Sequence, residues 1–311
     1  MCEHATILGI SWWSIWIVVG VGLCLFAFDK LCNIRKVTAA ANKFYYLIGV
    51  IAIVLGFGSA ALVQAIYSFI ESGVWSWGGV TFMGGMYGGV ISFVVISLIF
   101  AKGESRAQFG QICEIGLTCI PIAHAFGRIG CFSVGCCYGA KVTEGDPFAF
   151  LGVIFKNGSG AGVLRYPTQL IEAIFLFILA AVMILMIVKN KKVNSVIYFG
   201  GYGIFRFALE FLRDDYRGSI GAQNLSPSQV LSILSLTIAV VMLALILINK
   251  FKPQWSAAIK HFFRLDVPMP VAVEANEELA ENEADEAVDA STSNDVEPEI
   301  EEPSISDNEN E

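Results

Sequence analysis

The 311-residue chain draws 55% of its residues from the apolar set and only 15% from Asp, Glu, Lys and Arg, at a mean hydropathy of +0.64. Soluble domains hold about 45–50% apolar and about 25% charged residues, so a soluble enzyme of ordinary build is excluded. The formal charge of −8 hides a division: all 20 basic residues lie at or before Arg264, whereas 16 of the 28 acids fall after residue 273, so a body of +8 precedes a 38-residue stretch of −16.

Seven apolar runs follow one another, at 8–28, 45–70, 79–100, 112–133, 168–188, 194–213 and 229–249. Each approaches the ~20 residues that cross a hydrocarbon core of about 30 Å. The expected fold class is therefore all-α: a polytopic integral membrane protein with seven transmembrane helices. The first run has no basic residue ahead of it and no A-x-A cleavage pattern, so it is read as a retained span starting outside. Alternation then places 13 basic residues inside: Lys30, Arg35, Lys36 and Lys43; Lys102 and Arg106; Lys189, Lys191 and Lys192; Lys250, Lys252, Lys260 and Arg264. The outer segments keep only Lys141, Lys156, Arg165 and Arg217. The positive-inside rule thus favours an outside N-terminus and a cytoplasmic C-terminus. Trp12, Trp13, Trp75 and Trp77 near span ends suit an outer aromatic belt, although Trp75 and Trp77 equally suit packing in a short loop.

Residues 1–265 form the expected membrane domain. The acidic segment 266–311 lacks aromatic residues and the apolar content of a core, and is read as a disordered cytoplasmic tail. The basic residues sit in short clusters rather than along a stripe, so no nucleic-acid partner is expected.

Glycines concentrate in the third, fourth and sixth runs. Small residues let helix backbones approach in lipid, while irregular backbone lining a shielded polar cavity is the alternative. Gly127 to Gly139 suits the second reading, with four glycines, an arginine and three cysteines running into a polar loop.

Ionisable groups in apolar spans cost about 2.5–3.5 kcal/mol each even on the mildest scale, so each needs a reason. They are Glu114, His124, Arg128, Glu172, Arg206, Glu210 and, near a span end, Arg213. Arg206 and Glu210 stand four apart, on one helix face, and can neutralise each other. Arg128 adds a second guanidinium at comparable depth, one turn beyond His124. Two arginines against few carboxylates leave a surplus suited to a phosphate, hence to an anionic phospholipid head group. His124 is either a satisfied interior histidine or a general base. Most of the eight cysteines lie in apolar runs as small hydrophobes. Cys131, Cys136 and Cys137 are candidate reactive thiols or pocket lining. Their C-x4-C-C spacing matches no common zinc pattern, and adjacent cysteines do not easily share one ion, so neither a metal nor another cofactor is expected.

These residues resemble the bacterial prolipoprotein diacylglyceryl transferases over about 8–250. GRIGCFSVGCCYG (127–139) is similar to the family signature that begins G-R-x-G-N-F. YPTQLIEA (166–173) is similar to H-P-[ST]-Q-L-x-E-A. FRFALEFLRDD (205–215) with LSPSQVLS (225–232) is similar to R-F-x-x-E-F-x-R followed by L-[ST]-x-x-Q-x-L-S, and TFMGGMYGG (81–89) to the glycine-rich third span. The resemblance implies transfer of a diacylglyceryl group from phosphatidylglycerol to the lipobox cysteine of a prolipoprotein signal peptide, in a multi-pass protein of the bacterial plasma membrane. It assigns Arg206 and Glu210 to catalysis, and Arg128, Gln169 and Glu172, with Arg213 at the end of the third motif, to the substrate and the membrane lipid around it; His124 belongs to none of these motifs and is the candidate base as the one histidine within the apolar runs of the membrane body. The chain departs from the family pattern at Met83, where the family has histidine, at Cys131 and Val134, where it has asparagine, and at Cys136, where it has glutamate. The other functions compatible with the sequence are a membrane thiol-redox protein using Cys131, Cys136 and Cys137, a paralogue using the lipid cavity for other chemistry, and a lipid-binding scaffold signalling through its tail.

Overall fold

The structure, a computed structural model, describes residues 6–7, 10–77, 82–156, 158, 160–214 and 225–251; the acidic tail and the side chain of Met83 lie outside them. Within this range the chain is mostly helical. A two-strand hairpin, β1 (Thr6–Ile7) and β2 (Ile10–Ser11), leads into α1 (Trp12–Ile34). Ser11 caps that helix by accepting from the Trp13 amide at 3.2 Å, so the first helix begins four residues later than its apolar run. α2 (Ala39–Ser72) starts at Thr38, whose hydroxyl accepts from the Ala41 amide, and stops at Gly73, which takes the left-handed conformation at φ 72°. After it come α3 (Phe82–Phe100), the short α4 (Gly103–Ala107), α5 (Phe109–Ser133) and α6 (Thr168–Val188).

The sixth apolar run folds differently from its neighbours. Instead of one helix over 194–213, it forms α7 (Asn194–Val196), a π-helical turn (Ile197–Tyr202) and α8 (Gly203–Glu210). The wider π turn falls on the Gly200–Gly201 pair, where helix propensity is lowest. α9 (Pro227–Phe251) closes the described chain. Among the described residues five helices are long and apolar enough to cross a membrane: α1, α2, α5, α6 and α9. Their outer faces carry apolar side chains such as Val18, Val54, Ile178 and Val240, each more than half exposed, as a hydrocarbon solvent requires.

Small residues set the helix spacing. A Cβ added at Gly88 would stand 2.3 Å from the Ser59 Cβ, and one at Gly56 2.9 Å from the Gly85 carbonyl, so α2 and α3 touch almost backbone to backbone. The Ser59 hydroxyl donates to the Gly84 carbonyl across this seam at 2.8 Å. α1 and α5 run in opposite directions, Gly20 against Phe126 and Gly130 against Trp13. The Trp16 indole donates to Ser133 at 3.0 Å. Gly127 and Gly130 therefore lie in regular helix packed on α1, and the irregular backbone expected over 127–139 begins only after Ser133. Trp75 and Trp77 stack in a row with Phe69, with centroids 5.0 and 6.4 Å apart.

One end of the bundle is tied by polar contacts. The Thr38 amide donates to Gln108 at 3.1 Å, Gln111 donates to the Arg35 carbonyl at 2.8 Å, and Arg35 reaches the Ile187 carbonyl at 3.4 Å. The turns carrying the first three basic clusters thus sit together. Glu114 acts here as a structural anion. Its carboxylate accepts from the Asn194 amide at 3.0 Å and the Ser195 hydroxyl at 3.1 Å, at the positive end of the composite helix. Asn194, fully buried, donates to Thr118 and to the Met183 carbonyl.

The glycine seam makes a testable difference. Gly88→Ala is expected to lower the melting temperature of the detergent-solubilised protein by several degrees, because the added methyl would meet the Ser59 Cβ, which is fixed to the α2 backbone and cannot rotate away. Gly49→Ala, with open space around its Cβ, is expected to raise it slightly, since Ala is favoured over Gly in helices by about 0.8–1 kcal/mol.

Candidate functional site

Opposite the tied end, three helices bring polar groups together. On α5, His124, Arg128 and Cys131 follow at intervals of four and three residues and so form one stripe. α6 presents Gln169 and Glu172 from its first turns. The composite helix presents Tyr202, Arg206 and Glu210, again at intervals of four.

Glu172 is the hub. Its carboxylate is buried, forms an ion pair with Arg128, and accepts from the Tyr202 hydroxyl at 2.9 Å. His124 Nε2 stands 3.6 Å from the same carboxylate, and its ring meets Tyr202 edge-on at 5.3 Å between centroids. Arg206 lies within electrostatic range of this group. Its own guanidinium pairs with Glu210 at 2.7 Å and donates to the Ser228 hydroxyl of α9, also at 2.7 Å. Arg213 approaches Glu210 at 3.9 Å. The expected Arg206–Glu210 pair is thus present. Arg128, read from sequence as part of a free positive surplus, is instead bound to Glu172; the surplus is one guanidinium, three against two carboxylates. Of Arg128 and Arg206, one buried donor each, Nε of Arg128 and one terminal nitrogen of Arg206, has no hydrogen-bond partner among the described residues. A cleft lined by Met86, Tyr87, Tyr202, Arg206, Ser228 and Ser232 opens beside Arg206.

Beyond α5 the chain turns sharply. Cys137 adopts φ 63°, in the left-handed region, and Gly135 φ 68°. The reversal gathers the sulfurs of Cys131, Cys136 and Cys137 within 4.8 Å of one another, each half-buried. The loop is held to α6 through its carbonyls: Gln169 donates to that of Cys136 at 2.5 Å and Thr168 to that of Cys137 at 3.0 Å. Gln169 therefore positions the cysteine loop. The Cys136 thiol donates to the Cys131 carbonyl at 3.6 Å.

The segment between α5 and α6 has structure of its own. β3 (Val153–Ile154) pairs antiparallel with β4 (Leu164–Arg165), and Gly139 bridges to Arg213 just past α8. Arg165 is buried in this cap. It donates to Asp214 at 2.7 Å and to the Gly139 carbonyl at 3.2 Å, with its guanidinium over the Tyr138 ring at 4.3 Å. In the same cap, hydrogen bonds from the Thr143 amide and hydroxyl hold the exposed Asp146 carboxyl below its usual range.

Sequence reasoning paired Arg206 with Glu210, set His124 one turn from Arg128 and put both arginines at one anion site, with Glu172 and Arg213 left out of that pairing, and the fold brings all six to one region. It missed Tyr202, Ser228 and Arg165. Tyr202 had a signal, standing one turn before Arg206 on the same face. Ser228 lay inside the LSPSQVLS stretch without being singled out, and Arg165 had no signal, because its partners are far away in sequence.

A model of the prolipoprotein diacylglyceryl transferase family matches residues 3–245. The chain is 36% identical over 159 residues to phosphatidylglycerol–prolipoprotein diacylglyceryl transferase 2 of Clostridium perfringens, covering 50% of this chain and 57% of that protein. It is 32% identical over 173 residues to the corresponding transferase of Clostridium tetani, covering 54% and 65%. The Geobacter sulfurreducens transferase is 31% identical over 176 residues, covering 54% and 63%. The aligned part spans less than two thirds of the length of these relatives. With the family match extending from ahead of α1 into α9, this chain belongs to the prolipoprotein diacylglyceryl transferase family.

Proposed function

We propose that the protein transfers a diacylglyceryl group from phosphatidylglycerol to the lipobox cysteine of a prolipoprotein signal peptide. The observation that carries this reading is a pair of buried guanidiniums from different helices, Arg128 bound to Glu172 and Arg206 lining a largely apolar cleft together with Tyr202, which bonds the same Glu172. A small, largely apolar cleft beside an oriented cationic side chain suits a phospholipid head region, with phosphate at the donors and the acyl chains left in the surrounding lipid. The names of the similar proteins specify the same lipid and acceptor.

In this mechanism the acceptor thiol gives its proton to His124 and attacks the glyceryl carbon that bears the phosphate. A carbon–sulfur bond forms, the carbon–oxygen bond breaks, and glycerol phosphate leaves. Arg128 and Arg206 stabilise the charge gathering on the phosphate oxygens, and Glu172 and Glu210 fix the two guanidiniums. Glu172 thus serves as a positioning residue. The architecture is that of seven spans, with α3 and the composite helix completing the set begun by the five long helices. The N-terminus is outside, the C-terminus cytoplasmic, and the membrane is the bacterial plasma membrane. The turns bearing Arg35, Arg106 and Lys189 share one end, which suits this orientation. Residues 1–265 form the membrane domain and 266–311 a separate acidic tail.

Expression in cells depleted of their own transferase tests the activity directly, with lipid-modified precursor as the readout. The wild-type chain is expected to restore modification. Arg206→Ala is expected to lower the transfer rate by about 10²–10³-fold, the loss that follows removal of one charge-stabilising donor. Full transfer by Arg206→Ala, in membranes where the chain is present at wild-type level, would overturn the assignment.

Glu172 gives a second expectation. Glu172→Gln leaves the buried Arg128 unpaired and is expected to cost about 3–5 kcal/mol of stability. Tyr202→Phe, which removes one hydrogen bond, is expected to cost about 1 kcal/mol. Denaturation of the detergent-solubilised variants, compared with wild type, checks both.

A further inference from the structure

We propose that Cys131, Cys136 and Cys137 form a three-thiolate zinc site whose open fourth position binds and activates the acceptor thiol. The inference deepens the transferase reading and rests on it.

Three sulfurs within 4.8 Å of one another lie close to a coordination sphere. Ligand sulfurs at the Zn–S distance of about 2.3 Å stand roughly 3.8 Å apart in a tetrahedron, so side-chain rotations that close the cluster by about 1 Å would seat the ion. Adjacent cysteines in an extended or helical backbone point apart. Here the left-handed φ of Cys137 turns its side chain back toward those of Cys136 and Cys131, so the spacing that argued against a shared ion in the sequence brings the sulfurs together in the fold.

The surroundings are those of a ligand site. Gln169 and Thr168, both buried, hold the carbonyls of Cys136 and Cys137 and so fix the loop from the α6 side. Cys131 stands three residues beyond Arg128 on the same helix face, and both Cys131 and Cys137 lie within electrostatic range of that guanidinium. Three thiolates with one zinc ion carry a net charge of −1, which an adjacent guanidinium offsets. The three residues are half-buried rather than sealed, so the cluster lies close enough to the surface of the fold for a fourth ligand to reach it. A zinc site with three protein ligands and one open position is the arrangement that keeps room for a reacting group.

The chemistry matches the proposed reaction, which is alkylation of a thiol at carbon. A thiol that coordinates zinc is deprotonated outright. The bound thiolate attacks the phosphate-bearing glyceryl carbon. The carbon–sulfur bond forms and the carbon–oxygen pair leaves on phosphate. The proton released at coordination passes through water to His124, about two turns away along α5, and zinc changes no oxidation state. The ion thereby supplies the nucleophile in a chain where Met83 offers no proton acceptor.

The full-length protein, purified in detergent under reducing conditions and dialysed against Zn²⁺, is expected to hold one equivalent by elemental analysis. Co²⁺ or Cd²⁺ in its place should give a thiolate-to-metal charge-transfer band. The triple variant C131S/C136S/C137S should lose the metal and the band. The single variant Cys136→Ser, retaining two thiols, should weaken Zn²⁺ binding at least tenfold while eluting as wild type in size-exclusion chromatography. Cys113→Ser, remote in α5, should bind as wild type. Transfer should fall on removal of zinc by a chelator and return with added Zn²⁺. Absence of stoichiometric metal, binding that survives the triple variant, or a disulfide within the cluster in place of metal would overturn the proposal. So would transfer that continues unchanged in zinc-free protein, which would leave the transferase reading standing. Zinc held by these three sulfurs in a protein that transfers nothing would support the site and overturn the transferase reading.

Discussion

A carboxylate in the interior of an apolar bundle survives as an ion only if its charge is met by partners at close range, because desolvation otherwise exceeds anything packing supplies. Glu172 is in that position, and it is met from two sides. Arg128 on α5 and Tyr202 on the composite helix both bind its carboxylate, with His124 beside them. The two groups that bind it come from different helices, so the charge is met on both sides only when α5, α6 and the composite helix are in register. The ion pair thereby acts as a registration device for the three helices that carry the proposed chemistry. This also explains why Arg128 is oriented before any substrate arrives.

The rest of the bundle maintains that register from a distance. At the opposite end Glu114, Asn194 and Thr118 lock α5 to the start of the composite helix, using a carboxylate at a helix N-terminus instead of an arginine. The α2–α3 seam has a different character. Lipid gives apolar side chains no preference for one another, so close backbone approach at small residues is the available source of packing energy. Gly56, Gly84 and Gly88 provide it. Polar locks near α5 and α6 and glycine contact in α2 and α3 divide the molecule into a specified half and a closely packed half.

These differences mark what could be read from the sequence. The limits of α6 agree with its apolar run, because a continuous stretch between Pro167 and Lys189 leaves no competing signal. The charge clusters that join at one end were legible too, since they obey a rule about loops. The break in the sixth run was not legible, because a π turn widens the helix by one residue per turn without altering the hydrophobic pattern. The Glu172 hub was only half legible. Each charge announced itself by its cost in lipid, but the pairing of Arg128 with a residue 44 positions away depends on helix packing. The cysteine cluster was hidden for another reason, since spacing arguments assume ordinary backbone and Cys137 does not have it.

The arrangement of donors gives the proposed reaction its direction. Each arginine is committed on one side, Arg128 to Glu172 and Arg206 to Glu210 and Ser228. A guanidinium so held cannot turn to follow a substrate, and its reorganisation cost has been met in folding. What each retains is one buried donor without a hydrogen-bond partner among the described residues, Nε on Arg128 and a terminal nitrogen on Arg206. Unmet donors in an apolar site are costly and are relieved by an acceptor carrying negative charge. A phosphodiester already has one such charge, and a departing phosphate monoester gains a second as the carbon–oxygen bond breaks. Two fixed donors on two fixed cations stabilise the second state more than the first. On this reading the carboxylates that reduce the net positive charge also raise the discrimination between substrate and transition state, which is the quantity that accelerates a reaction.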